Sequence, residues 1–195
     1  MDKAKLGDAA QSALVANSAN GENLLAMGKF LFECYDKDGK LKWAGETKNL
    51  VVNVGLQYMA GTALDGATGR ITTWFIGLWG AGASNTPAAS DTMLSHNGWV
   101  EATPYSNATR PAATFAAATT ANPSVVTNTA NKASFSINTT ATVGGAFLVG
   151  GAVNVADQKG GTGGTLFSGA DFTGGDRSVV SGDTLQVTYQ FSLSA

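Results

Sequence analysis

The chain has 195 residues, and only 13% of them are charged, about half the ~25% usual in globular proteins. Its 12 basic and 14 acidic side chains leave a net charge of −2, with no basic stripe to track a phosphate backbone, which argues against nucleic-acid binding. A single cysteine, Cys34, excludes an internal disulfide, and together with the single histidine, His96, it falls short of the three or four N and S ligands of a zinc site.

A chain of this length can bury roughly 70% of its unfolded surface, enough for a real core. Charge is concentrated at the start: about half of the ionisable side chains precede residue 50. Residues 1–27 show no sustained apolar stripe, and Leu14, Leu24, Leu25 and Met27 fit an N-terminal arm or short helix ahead of one β-rich domain over 28–195. The apolar stretch Ala13–Ala16 is too short for the core of a signal peptide.

Lys29 to Trp43 reads as a hairpin. The apolar run Phe30 to Tyr35 and the run Lys40 to Trp43 flank Asp36-Lys37-Asp38-Gly39, whose glycine is free to take a positive φ. Asn49–Val54 is expected to be a third strand, followed by a short helix from Gly55 to Ala60 that Gly61 ends. Ile71 to Trp79 is apolar almost throughout, as in a central strand covered on both faces. Gly80 to Asn97, small and polar, is expected to run over the surface.

Pro111 to Pro123 is rich in alanine, but its prolines and paired threonines weigh toward an extended segment. Lys132 to Asn138 alternates, placing Ala133, Phe135 and Ile137 on one face, and Gly145 to Val149 is a short apolar strand between glycine pairs. The uncharged run Ala133 to Ala156 holds Asn138, Thr139, Thr140 and four glycines, which suit buried strands and not a membrane helix. Gly160 to Gly164 is a flexible loop.

Gly182 to Leu193 closes the chain with an unbroken alternation. Leu185, Val187, Tyr189, Phe191 and Leu193 share one face, and Gln186, Thr188, Gln190 and Ser192 share the other. Many short strands with glycine-rich turns define a mainly β fold, a β-sandwich or jelly-roll-like body with one short helix.

Candidate chemistry is sparse. His96 near Asp91 lacks the Gly-x-Ser-x-Gly context of a serine nucleophile and reads as a hydrogen-bonded loop residue. Asp36 and Asp38 imitate the start of a calcium loop, but the bidentate acid such a loop requires is replaced by a strand with Lys40 and Lys42, so a turn is the better account. Lys159 precedes its glycines, whereas a P-loop places lysine after them. Cys34 reads as a small core residue. Trp74, Trp79, Trp99 and Tyr105 read as core or subunit interface, with a sugar-stacking platform as the alternative. Arg110, nearly alone in an uncharged region, is either the partner of Glu101 or a contact to another chain. No catalytic, metal or cofactor-binding residue is assigned.

Several segments in order carry a resemblance: Asn49 to Leu56, Trp74 to Leu78, Asp91 to His96 leading to Trp99-Val100-Glu101 and Tyr105, Arg110-Pro111, Leu166-Phe167-Ser168 with Phe172, Arg177 to Val180, and Gly182 to Leu185 with the closing strand. Over roughly residues 45–195 the chain resembles small virion structural proteins of tailed bacteriophages, of the capsid decoration or tail-associated kind. That resemblance implies a non-enzymatic protein without cofactors, made in the host bacterial cytoplasm and carried on the virion capsid surface. Its expected partners are the major capsid protein and copies of itself, a trimer being favoured, with no membrane partner. The N-terminal segment, residues 1–27, is expected to reach onto the capsid protein or a sister subunit. A tail or fibre adhesin binding host glycan is the alternative.

Overall fold

The computed structural model describes residues 25–66, 68–82 and 86–195. Their alternating apolar segments form two antiparallel sheets packed face to face as a β-sandwich. The expected hairpin is present: β1 (Leu25–Tyr35) pairs with β2 (Leu41–Lys48). Its turn is made by Asp36, whose Oδ1 accepts the backbone N–H groups of Asp38 and Lys40, both at 2.9 Å, while Gly39 takes φ +78°. The expected N-terminal arm lies outside the described residues up to 24, whereas Leu25, Ala26 and Met27 already belong to β1.

The third strand is shorter than expected, because β3 is only Leu50–Val51 and helix α1 (Asn53–Ala60) begins at once. α1 ends at Ala60 with Gly61 as its C-cap, where the helix was expected to stop. Gly61 lies in the right-handed region, φ −64°, and the chain continues through a wider turn, Gly61–Asp65, to Gly66 at φ +64°. The left-handed residue comes five positions later, at Gly66.

Next come β4 (Trp74–Gly80), β5 (Glu101–Ala102), β6 (Ser124–Thr127) and β7 (Ala133–Ser136). The chain then forms β8 (Ala141–Gly150), β9 (Thr165–Asp171), β10 (Arg177–Val179) and β11 (Thr184–Ser194). Sheet one runs β2-β1-β11-β6, with β7 continuing the edge of β11 below β6. Sheet two runs β3-β9-β8-β4-β5, so β8 takes the middle place and β4 lies next to it. Pro111 to Pro123 is extended, bonded to β4 through Ala113 N–H to the Trp74 carbonyl and to β6 through Ala116 N–H to the Thr127 carbonyl.

Period-two patterning decides the core. Phe30, Phe32 and Cys34 of β1, Phe135 of β7, and Leu185, Val187 and Tyr189 of β11 face Ile76 and Leu78 of β4 and Ala146 and Leu148 of β8. The opposite face of β4 presents Phe75 and Trp79, covered by Met93 and Trp99 from the 80–100 connection and by Ala156. This second cluster explains why β4 is apolar on both faces. It also corrects the expected surface course of Gly80–Asn97, since Asp91 and Met93 are buried.

β8 is twice the expected length because its glycines are packing positions, not boundaries. In the β4–β8 register Trp74 stands opposite Gly150, Gly77 opposite Phe147, and Trp79 opposite Gly145. Each ring lies across the strand on a glycine that has no Cβ to obstruct it, so a Cβ on Gly150 would sit 2.6 Å from the Trp74 ring.

Tyr189 ties the sheets together through a polar link inside the core. Its hydroxyl accepts hydrogen bonds from Asn49 Nδ2 at 2.9 Å and Ser168 Oγ at 3.1 Å. Tyr189→Phe is expected to destabilise the fold by about 1–3 kcal/mol, because two buried donors lose their acceptor. A urea unfolding series checks this; a variant within error of the parent would show that the link contributes nothing net.

Candidate functional site

Each polar residue singled out in the sequence is engaged in holding the chain's own loops. Asp91 Oδ2 accepts from Trp99 Nε1 and from the Ala88 N–H, both at 2.9 Å. His96 stacks on the Trp99 ring at 3.8 Å, and its Nδ1 donates to the Trp99 carbonyl at 2.9 Å. Both side chains thus position Trp99, which caps the second core cluster, and neither is bonded to the other as a base and its orienting acid would be.

Arg110 takes the first of its two expected roles. Its Nε and one terminal nitrogen grip Glu101 Oε1 and Oε2 at 2.9 and 2.7 Å, a bidentate pair. The remaining donors reach the carbonyls of Ala156 at 2.7 Å and Gly161 at 2.8 Å, and the guanidinium lies 5.2 Å from the Phe147 ring centroid. Glu101 Oε2 also accepts the Gly160 N–H at 2.6 Å. The Gly160–Gly164 segment expected to be flexible is therefore held by a buried ion pair. Lys159, which precedes it, donates to the Tyr105 carbonyl at 3.2 Å and covers that ring, so the segment has no phosphate-cradle arrangement.

Asp36 serves its turn as described, and Cys34 is fully buried in the core. The Cys34 thiol lies 3.7 Å from Asp183 Oδ2, which also accepts from Lys42 Nζ and from the Val180 N–H. Burial and then the Asp183 charge push the thiol up to about 12. Burial alone would raise Asp183, but hydrogen bonds from Lys42 and Val180 hold it below the usual carboxylate range, and Lys42 is raised in turn by its bond to Asp183.

The signs give a pH window. The depressed Asp183 contributes stability above its ordinary 3.8 that is lost as pH falls through its folded value. The raised Lys42 and Cys34 contribute stability below 10.5 and 9.0 that is lost as pH rises through their folded values. Urea midpoints are expected to be flat between about pH 4 and 9 as far as this cluster acts. In Asp183→Asn the acid-side decline should shrink; an unchanged acid slope would show that other carboxylates govern it.

The stacking platform considered for Trp74, Trp79, Trp99 and Tyr105 is not assembled. Trp79, Trp99 and Tyr105 are core residues, at most 2% exposed, and only Trp74 reaches an open surface. That surface is an apolar groove of about 840 Å³ at one end of the sandwich, where the sheets part. Tyr58 of α1 and Trp74 of β4 form one wall, Phe191 and Leu193 of β11 the other, Phe167 and Tyr189 lie below, and Ala112 to Ala118 runs along the flank.

The rings interlock edge to face: Tyr58–Trp74 at 5.7 Å, Trp74–Phe167 at 5.5 Å and Phe167–Phe191 at 5.6 Å. Arg70 is the charged side chain of the lining. A concavity of this size and composition suits an apolar occupant held by shape and burial. No family model, curated protein or solved structure matches this chain. Among the described residues no group of three or more His, Cys, Asp and Glu could hold a metal ion, and no helix is long and apolar enough to cross a membrane.

Sequence reasoning missed the groove. Tyr58, Phe115 and Phe191 come from three remote segments, and only Phe115, a single aromatic among alanines and threonines, carried a local signal.

Proposed function

We propose that this chain is a non-enzymatic structural protein of a tailed-phage virion, a capsid cement protein that binds the major capsid protein beside further copies of itself, a trimer being the favoured assembly. One observation carries the reading: the polar residues that could have signalled chemistry are committed to the chain's own loops, while the open concavity is an apolar groove. The ordered resemblance of residues 45–195 to virion proteins supports it. On the polar face of β11, Thr188 and Ser192 are buried, and the uncharged Gln186 and Gln190 are half-buried. A protein that binds only the assembled shell raises its stability by mass action, through area buried across subunits.

The test is to add the purified full chain to heads that lack it. Saturable co-sedimentation at hundreds of copies per head, with a higher melting temperature of the shell, is the expected result. Recovery in the tail fraction at a few copies, with binding to a glycan array, would replace this reading by the adhesin.

A further inference from the structure

The sequence holds three arginines, and two of them are spent inside the chain. Arg110 grips Glu101 and two carbonyls, and Arg177 donates to the carbonyls of Thr173 and Gly174. Arg70 is different. It is exposed, has no hydrogen bond or ion pair among the described residues, and stands in the lining of the apolar groove. Its place there is set by its neighbour: the Ile71 N–H donates to the Tyr58 hydroxyl at 2.9 Å, which fastens the backbone carrying Arg70 to the wall formed by Tyr58 and Trp74.

No carboxylate in the lining offsets that charge. The Tyr189 hydroxyl is engaged with Asn49 and Ser168 and the Thr73 hydroxyl with the Gly151 carbonyl, while Thr72 and Thr114 are neutral. The groove is thus an apolar slot with one cationic end. Hydrocarbon lying in it needs no hydrogen bond, whereas a peptide backbone laid across Trp74 and Phe191 would lose water from its N–H and C=O groups. The flanking segment already spends the Ala113 and Ala116 N–H groups on β4 and β6. A volume of about 840 Å³ is in the range of small-molecule sites. An anion with an unbranched apolar tail answers both parts, since a carboxylate pairs with the guanidinium fork and the tail covers the rings.

We propose that the groove binds one free fatty carboxylate, its headgroup on Arg70 and its alkyl chain between Trp74 and Phe191, above Phe167. The site does not rest on the virion reading, because every residue in it belongs to this chain. The test titrates the full chain with octanoate, decanoate and decyltrimethylammonium by isothermal calorimetry, each below the concentration at which it forms micelles.

Each buried methylene should tighten binding about fourfold, so decanoate should exceed octanoate by roughly fifteenfold. The parent should favour decanoate over the cation of equal chain length by about fivefold, as expected of an exposed charge pair. Arg70→Gln should erase that preference and Arg70→Glu should invert it. Because Arg70 bonds to no other described residue, both variants keep the fold. Nuclear Overhauser contacts from the methyl end of bound decanoate should reach the rings of Trp74 and Phe191. Absence of binding, equal binding of anion and cation by the parent, indifference to chain length, or contacts at other residues would overturn the proposal. So would attachment to phosphatidylglycerol vesicles with none to the free carboxylate.

Discussion

Replacing Arg110 by alanine is expected to lower the unfolding free energy by about 3–5 kcal/mol, the range for breaking a buried ion pair from one side. Arg110 is 1% exposed, and its removal leaves the Glu101 carboxylate, also shielded, facing only the Gly160 N–H. The carbonyls of Ala156 and Gly161 lose their donors in the same step, so β5, the 152–163 connection and the Arg110 backbone are released together. The pair itself is a separate matter. Arg110→Met with Glu101→Leu removes both charges and fills much of the space, and it should recover most of the loss. Urea denaturation of the three proteins checks both statements. A single variant within 1 kcal/mol of the parent would show that the loop is held by other contacts.

Local chemistry was the legible part of this fold. The Asp36 to Gly39 turn needs only its own backbone and one carboxylate, and the alternation of β11 states its buried face directly. The Arg110–Glu101 pair was readable as one of two options because few other charges lie nearby in sequence. Features set by distant segments were not legible. Gly61 caps α1, yet it is buried against Thr68 and keeps helical angles, so the left-handed reversal falls to Gly66. Gly144 and Gly145 resemble punctuation, yet they lie inside β8 because Trp79 and the Gly80 and Ala170 carbonyls occupy the space of their missing side chains. The groove joins residues 58, 70–75, 112–118 and 191–193, whose meeting depends on how the two sheets diverge.

The aromatic-over-glycine packing predicts the second large effect, with an internal control. Trp79 is fully buried, lies on Gly145 and Gly169, and meets Trp99 at 5.1 Å. Trp79→Ala is expected to cost about 3–5 kcal/mol through lost burial and the cavity left behind. Its two glycines should then behave differently. A Cβ on Gly169 would lie 2.6 Å from the Trp79 ring and 3.5 Å from Pro87, with no backbone atom among the nearest three. Gly169→Ala should therefore cost about 1–3 kcal/mol alone and much less beside Trp79→Leu, whose smaller side chain vacates that space. A Cβ on Gly145 would also strike the Ala170 carbonyl, which belongs to the paired strand and cannot withdraw. Gly145→Ala should consequently remain destabilising in both backgrounds. The two double-mutant cycles, read by thermal or urea unfolding, separate a side-chain clash from a backbone clash, and equal coupling to Trp79 at both glycines would refute the packing assigned to this strand pair.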